Sequence, residues 1–317
     1  MNSLTHPEAA PPRTLRKSVR FRLRKTWIFH LMLLPAVVLA FLFHYLPMFG
    51  VVIAFQDYKP YLGVTGSDWV GLKHFAAIFD RLDSLQVIWN TLLIASLKIG
   101  FMIVVPVAFA LLLNEVRRMA FKRIVQTLVY LPHFLSWVIM GAILVDLLSP
   151  EGGLVNRVLQ GWFGLPPIFF LGDGDWFRFT VVTSEVWKEF GFSTIIYLAA
   201  LASINPELYE AAEVDGASRW MMTLHITLPG LVPIMTVCAT LSLSSILSAG
   251  FDQIYNLYNP LVYDKGDIID TYVYRVGILS QKLSFATAMG LFKSVVSCIL
   301  ILSVYRIALK TANYRIF

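Results

Sequence analysis

The sequence predicts an all-α polytopic membrane protein, and three observations carry that reading. Of its 317 residues, 57% are hydrophobic, and the mean hydropathy is +0.67. Only 15% are charged, against about a quarter in a soluble globular domain. The 26 Lys+Arg and 20 Asp+Glu also gather between long apolar runs instead of spreading through them. A soluble enzyme, a disordered chain and a disulfide scaffold are excluded together. The net charge of +6 is first a topology signal, not a nucleic-acid footprint. Cys238 and Cys298 sit inside apolar runs and read as small packing residues. The six histidines are scattered without metal-ligand spacing, so no metal site is expected.

A hydrocarbon core about 30 Å thick asks for about 20 mostly apolar residues per helix. Six stretches meet that length: 28–49, 87–113, 124–148, 177–203, 230–250 and 286–309. Pro35, Pro106, Pro132 and Pro233 fall inside four of them, which a bundle tolerates because neighbours satisfy the freed carbonyls. Residues 1–27 form a basic segment ahead of a transmembrane domain, 28–317. With that segment inside, the inner connections and termini hold fifteen Lys and Arg, seven of them in residues 1–27. The longer outer connections hold eight. Both termini are therefore expected in the cytoplasm. The first apolar run is longer than a signal-peptide core and reads as an uncleaved anchor. The stretch 13–25 is either a solvated, orientation-setting stretch or a basic interfacial helix.

Three outer segments, 56–86, 149–176 and 251–285, are too long to be simple turns. The second is rich in Gly, Pro and aromatic residues, and either docks a partner or caps the bundle. No internal repeat of fixed period is visible, which argues against an inverted-repeat carrier.

The inner connection 205–229 carries the most chemistry. Asn205 can cap a helix with Pro206 at its first position. Glu207 and Glu210 favour the positive end of that helix. Gly216 can take the left-handed conformation that stops it. Ser218 can cap a second short helix, which Pro229 is expected to terminate. Ala211, Ala212, Gly216 and Ala217 let another surface approach the backbone closely, and Glu210 and Asp215 offer charges beside that contact.

The run Glu210-Ala211-Ala212-x-x-Asp215-Gly216-Ala217, followed by Ile226-Thr227-Leu228-Pro229, resembles the EAA motif of permease subunits in binding-protein-dependent ABC importers. Further stretches resemble the carbohydrate, maltose-type branch of that family: 45–50, 54–58, 130–134, 153–156, 250–255 and 270–275. The similarity covers nearly everything after residue 28, and within the branch it is greatest to permeases of large or acidic oligosaccharides such as alginate. It implies a type I ABC importer permease fold, with 205–229 as coupling helices seated on a separate ATPase subunit. Glu210, Ala211, Ala212, Asp215, Gly216, Ala217, Ser218 and Pro229 would form that seat. Thr223 departs from the family's large hydrophobic residue, and Met222 or Leu224 is the expected substitute. The implied partners are a second permease (a heterodimer), two ATP-binding subunits, an extracytoplasmic solute-binding protein and an oligosaccharide.

No G-x-x-x-x-G-K-[ST] phosphate loop is present, so ATP and Mg²⁺ are expected on the partner ATPases and no cofactor on this chain. No nucleophile elbow stands out either, and the chain is not expected to be catalytic alone.

Ionisable residues within spans cost about 2.5–3.5 kcal/mol each on insertion scales and tend to face a cavity or a partner. Lys98, Asp146 and Lys293 are such residues. Glu185, Lys188 and Glu189 can share one helical face, where Lys188 either neutralises both neighbours or, with Lys98 and Lys293, draws an anionic sugar. Asp252, Gln253, Tyr255 and Asn256, beyond the fifth run, suit either a sugar path or a membrane–water boundary. The rival from another class is an ion-coupled secondary transporter of a polar solute using Glu185, Lys188 and Glu189. A membrane enzyme is the third and weakest alternative.

Overall fold

The computed structural model describes residues 19–244 and 247–312. Arg13, Arg16 and Lys17, and with them much of the 13–25 stretch, lie outside the described residues. The chain divides into two units, Met1–Val52 and Ile53–Phe317.

In the first unit, helix α1 (Val19–Ala40) carries Pro35 inside it and runs on through a five-residue π turn, Phe41–Tyr45. The Leu46 N–H bonds the Phe41 carbonyl, five residues back. The next residue is Pro47, whose ring in a regular α-helix would meet the carbonyl four residues before it. Widening the turn just ahead of the proline relieves that contact. The apolar helical run reaches 29 residues, Trp27–Phe55.

The second unit opens with a two-residue antiparallel ribbon, β1 (Gln56–Asp57) against β2 (Asp68–Trp69), with Gln56 opposite Trp69. There follow α2 (Lys73–Asp80), α3 (Leu82–Asn114), α4 (Met119–Tyr130), α5 (Trp137–Leu148), α6 (Leu154–Phe163) and α7 (Gly174–Ala202). The remainder comprises α8 (Glu207–Val214), α9 (Arg219–Met222), α10 (Leu228–Ser244), α11 (Phe251–Leu257), α12 (Ile269–Tyr274) and α13 (Leu283–Ala312).

Helices α3 and α7 form the spine, and clusters line it at successive heights. Ile94 and Ala95 of α3 meet Phe177 and Val181 of α7, with Met140 and Leu144 of α5 and Ile254 of α11. Farther along, Val107 and Ala110 pack with Tyr197, Leu201 and Leu231. A third cluster joins Ile78, Val87, Ile269, Tyr272, Phe285 and Met289.

Among the described residues, four helices are long and apolar enough to cross a membrane: Trp27–Phe55, Leu82–Asn114, Arg219–Leu243 and Leu283–Ser303. The expected continuous span over 124–148 is corrected to two helices with a sharp bend between them. Met119–Phe134 and Trp137–Leu148 meet at 105°. Pro132 lies in a 3-10 turn, Leu131–Phe134, and Ser136 is extended and caps α5 through the Ile139 N–H. Helix α7 has 29 residues and is thus about 43 Å long, but Arg178, Glu185, Lys188 and Glu189 keep it from being uniformly apolar. The run expected over 230–250 is helical as far as Ser244 among the described residues, and Gly250 stands at φ +99 before α11.

Gly191 sits where α4 crosses α7, and a Cβ there would collide with the Val129 carbonyl oxygen. Gly191→Ala should therefore separate the two helices and cost about 1–3 kcal/mol. A lowered thermal unfolding midpoint in detergent checks this; an unchanged midpoint would mean that the crossing relaxes freely.

Candidate functional site

Two regions hold the residues singled out above. The first is 205–229. The Asn205 side-chain oxygen accepts the Glu207 N–H at 3.1 Å, so the expected cap is present. At the other end of α8 the Ala217 N–H bonds the Ala212 carbonyl at 2.9 Å and the Gly216 N–H bonds the Glu213 carbonyl at 3.0 Å. With Gly216 at φ +75, this pair of bonds is the Schellman closure of a helix. Ser218 then caps α9, accepting the Met221 N–H at 3.3 Å.

The expected stop at Pro229 is corrected. Helix α9 runs through a second π turn, Thr223–Thr227, directly into α10. The Leu228 N–H bonds the Thr223 carbonyl, five residues back, and Pro229 follows, repeating the arrangement at Pro47. A widened turn accommodates the proline, so the helix is not ended by it.

Glu210, Ala211, Asp215, Gly216 and Ser218 are exposed, while Ala212 and Ala217 are half-buried. Around them stand Leu208, Val214, Trp220, Met221 and Leu224, with Val214 at 88% exposure and Trp220 at 75%. Met222 is half-buried, so Leu224 and Trp220 are the large side chains presented outward. Tyr209 bonds Thr227 at 2.9 Å and ties α8 to the base of α10.

The second region centres on Lys98. Its ammonium donates to the Ala249 carbonyl at 2.6 Å, to the Gln253 side-chain oxygen and, at 3.5 Å, to Glu185. Three acceptors use all three of its donors. Gln253, fully buried, donates in turn to the Val181 carbonyl and the Ser184 hydroxyl, both at 2.8 Å. One lysine thereby joins α3, α7 and the non-helical segment leading to α11. A Cβ on Gly250 would stand 2.9 Å from that ammonium. Lys98, Glu185, Ser248 and Gly250 line a cavity of about 200 Å³.

Glu185, Lys188 and Glu189 share the inner side of α7 but do not form one ion cluster, which corrects the reading that Lys188 neutralises both neighbours. Glu185 turns to Lys98, whereas Lys188 pairs with Glu189 at 2.7 Å and donates to the His133 carbonyl at 2.9 Å. Glu189 also meets His133 Nδ1 at 2.7 Å, and the His133 ring stacks on Phe192 at 4.0 Å between centroids. Helix α7 thus supplies the side chains that satisfy the break between α4 and α5. Lys293 is held by both oxygens of Asp270, at 2.6 and 2.8 Å. Each of the three span lysines therefore stands against a carboxylate. Asp146 is exposed on α5.

Asp252, Gln253, Tyr255 and Asn256 all lie on α11 but point differently. Gln253 is buried in the Lys98 network and Asp252 is exposed. Asn256 packs against Gly141 of α5. Tyr255 is 41% exposed and stacks with Phe251, with Tyr274 edge-on at 5.2 Å.

The segment 251–285 is a train of short helices stapled to the spine. Asn90 donates to the carbonyls of Asp264 and Asp267, at 3.0 and 3.2 Å, and accepts from Arg178 at 2.5 Å. Arg275 pairs with Asp267 and lies over the Tyr263 ring at 4.3 Å. Burial pushes the Asp267 carboxyl above the usual carboxylate range, against the opposing pull of Thr271 and Arg275. Lys265, 2.5 Å from Asp175, holds that exposed carboxyl below its usual range. That link stands at neutral pH and is lost only as acid titrates Asp175 through its lowered pKa. Asn90 and Glu185's partner were not found by sequence reasoning. An amide inside an otherwise apolar run was the available signal for Asn90.

Residues 100–312 match the family described as the binding-protein-dependent transport system inner membrane component. The chain is 43% identical to the polygalacturonan/rhamnogalacturonan transport system permease protein YteP of Bacillus subtilis (strain 168), over 95% of this chain and 94% of that one. It is also similar, with a TM-score of 0.85 and 40% identity over 92% of this chain and 99% of the other, to a chain of a bacterial ABC transporter involved in import of the acidic polysaccharide alginate. A second structure, of a bacterial alginate ABC transporter with an alginate pentasaccharide-bound periplasmic protein, gives 0.84 and 40% over 92% and 96%.

Replacing Lys98 by Met would strand Glu185, the Ala249 carbonyl and Gln253 together. Breaking such a buried pair costs about 3–5 kcal/mol, read as a lowered unfolding midpoint in detergent. Adding Glu185→Gln should restore part of the loss, and a double variant no more stable than Lys98→Met would show that Glu185 is not its partner.

Proposed function

Since the chain belongs to the binding-protein-dependent transport system inner membrane components, the permeases of ABC importers, we propose that it forms one half of a sugar translocation path and takes its drive from partner ATPases through residues 205–224. It is an inner-membrane transport component and not an enzyme. The ion-coupled carrier alternative falls with that assignment.

The observation that carries the coupling role is the solvent-facing helix–Gly–helix of α8 and α9. Caps at Asn205 and Ser218 and the closure at Gly216 hold it in shape, while Val214, Trp220 and Leu224 stand uncovered around Glu210 and Asp215. Large apolar side chains left uncovered on short capped helices suit a protein contact. Helix α9 continues without interruption into α10, so a push on this patch would pass directly into a span. ATP and Mg²⁺ would be held by the partner subunits, and ATP-driven closure would shift the bundle between inward- and outward-facing states. We place six spans in the membrane, with the broken α4–α5 pair and α7 completing the set. Both termini and the coupling segment then lie on the cytoplasmic side, in keeping with the basic-residue asymmetry.

For the substrate we propose oligosaccharides bearing carboxylates. Polygalacturonan and alginate, named for the similar proteins, are both polyuronates. Lys98 is the strongest path candidate of the three lysines because it alone of them lines the cavity, and a sugar carboxylate would displace its contact to Glu185, the longest of the three pairings. Lys188 and Lys293 then serve the bundle's structure. An extracytoplasmic binding protein would deliver the sugar, by analogy with the periplasmic protein in the alginate complex, and a second, non-identical permease would complete the path.

Gly216→Val, in the assembled transporter in liposomes, should abolish binding-protein-stimulated ATP hydrolysis and transport while leaving membrane insertion intact, because φ +75 excludes a β-branched residue. Full activity in this variant would remove the coupling assignment. Uronate oligosaccharides with their binding protein should stimulate hydrolysis, and stimulation by neutral sugars alone would overturn the acidic substrate.

A further inference from the structure

Helix α6 is outside the spine and outside the coupling surface, and its side chains, up to the exposed Phe163 that ends it, divide by environment into three sectors. At 3.6 residues per turn, Val155, Asn156 and Leu159 form the half-buried or buried side. Adjoining it, Leu154, Val158 and Trp162, at i, i+4 and i+8, make an apolar stripe exposed by 54%, 37% and 81%. Arg157 and Gln160 occupy the remaining side and are exposed. A helix on a bundle in water needs one protein side and one polar side. The third, apolar sector calls for another phase.

The position of the helix identifies that phase. Asn156, 3% exposed, donates to the carbonyls of Leu148 at 3.3 Å, Ser149 at 3.0 Å and Ile168 at 3.0 Å, and accepts the Ile168 N–H at 2.8 Å. Leu148 is the last residue of α5, an apolar helix whose Val138, Ile139 and Val145 are exposed. The far end of α6 turns at Gly164, φ +62, and the chain returns through Pro166 and Pro167 to Ile168 beside the same asparagine. Both ends of α6 are thus pinned to the end of a membrane helix, where hydrocarbon gives way to head groups.

We propose that α6 lies in the membrane plane at that boundary, with Leu154, Val158 and Trp162 inserted among the acyl chains and Arg157 toward the lipid phosphates. Amphipathic helices of this kind seat about 5–10 Å into the boundary, with aromatic rings at head-group level. Exposed Glu151 offsets Arg157, so insertion is apolar in origin and independent of anionic lipid. The inference needs only that the chain is a membrane protein, and stands apart from which sugar is carried.

The test uses the complete transporter in phosphatidylcholine bilayers, with Cys238 and Cys298 replaced by Ser and a spin label placed singly at Leu154→Cys, Trp162→Cys or Gln160→Cys. Labels at 154 and 162 should collide more with oxygen than with an aqueous nickel chelate and report a depth of about 5–10 Å; the label at 160 should do the reverse. The same values should hold when phosphatidylglycerol is added. Chelate access at 154 and 162 equal to that at 160 would overturn the proposal, as would shielding of both from oxygen and chelate alike, the signature of a protein partner covering the stripe. Two stripe positions keep the test decisive if one variant fails to assemble.

Discussion

A charged ammonium buried in an apolar bundle has to be bonded on every side, and the arrangement around Lys98 meets that condition. An unpaired buried charge is expensive enough that the group would be expelled or neutralised. Here helix α7, the non-helical approach to α11 and α11 itself each contribute an acceptor. The lysine therefore ties α11 and the residues just before it to α3 and α7. Gly250 follows from the same geometry, since a side chain there would press on the ammonium. The cavity beside it exists because the backbone leaves its helix at this point.

The same logic recurs wherever the backbone is irregular. The break between α4 and α5 frees carbonyls in a region with little water, and Lys188 supplies the donor for the His133 carbonyl while Glu189 orients the ring. The short helices of 260–274 are held by Asn90, Thr91 and Arg178, each reaching across from a long helix to a main-chain group or to one another. Asn156 ties together the segments that flank α6. Polar side chains on the long helices thus act as clamps for irregular backbone, consistent with the rule that such backbone is tolerated at membrane depth only when protein satisfies it. Prolines are handled differently, by π turns that widen the helix one residue ahead of Pro47 and Pro229.

These internal clamps do not reach the proposed coupling surface of α8 and α9. Within α8 and α9 the backbone is closed by caps, yet their large apolar side chains remain uncovered. A rigid frame with an unsatisfied apolar surface is suited to transmit force, because little of a partner's push is absorbed by local bending. The uninterrupted run from α9 into α10 would give such a push a route into the bundle.

The sequence by itself determined the membrane class, most of the apolar runs, and the caps at Asn205 and Ser218 with the left-handed Gly216. All of these depend on composition or on contacts within one or two helical turns, which neighbouring residues settle among themselves. Local reading failed at Pro229, where a proline signals a stop but a widened turn costs less than ending a helix that is packed farther along. It failed again at Glu185, which lies within a turn of Lys188 yet pairs with Lys98, 87 residues away. Only the tertiary structure decided those matters, along with the 105° break and the docking of 260–274. Each is settled by which distant group arrives to satisfy a buried charge or a freed carbonyl, and no periodicity along the chain records that.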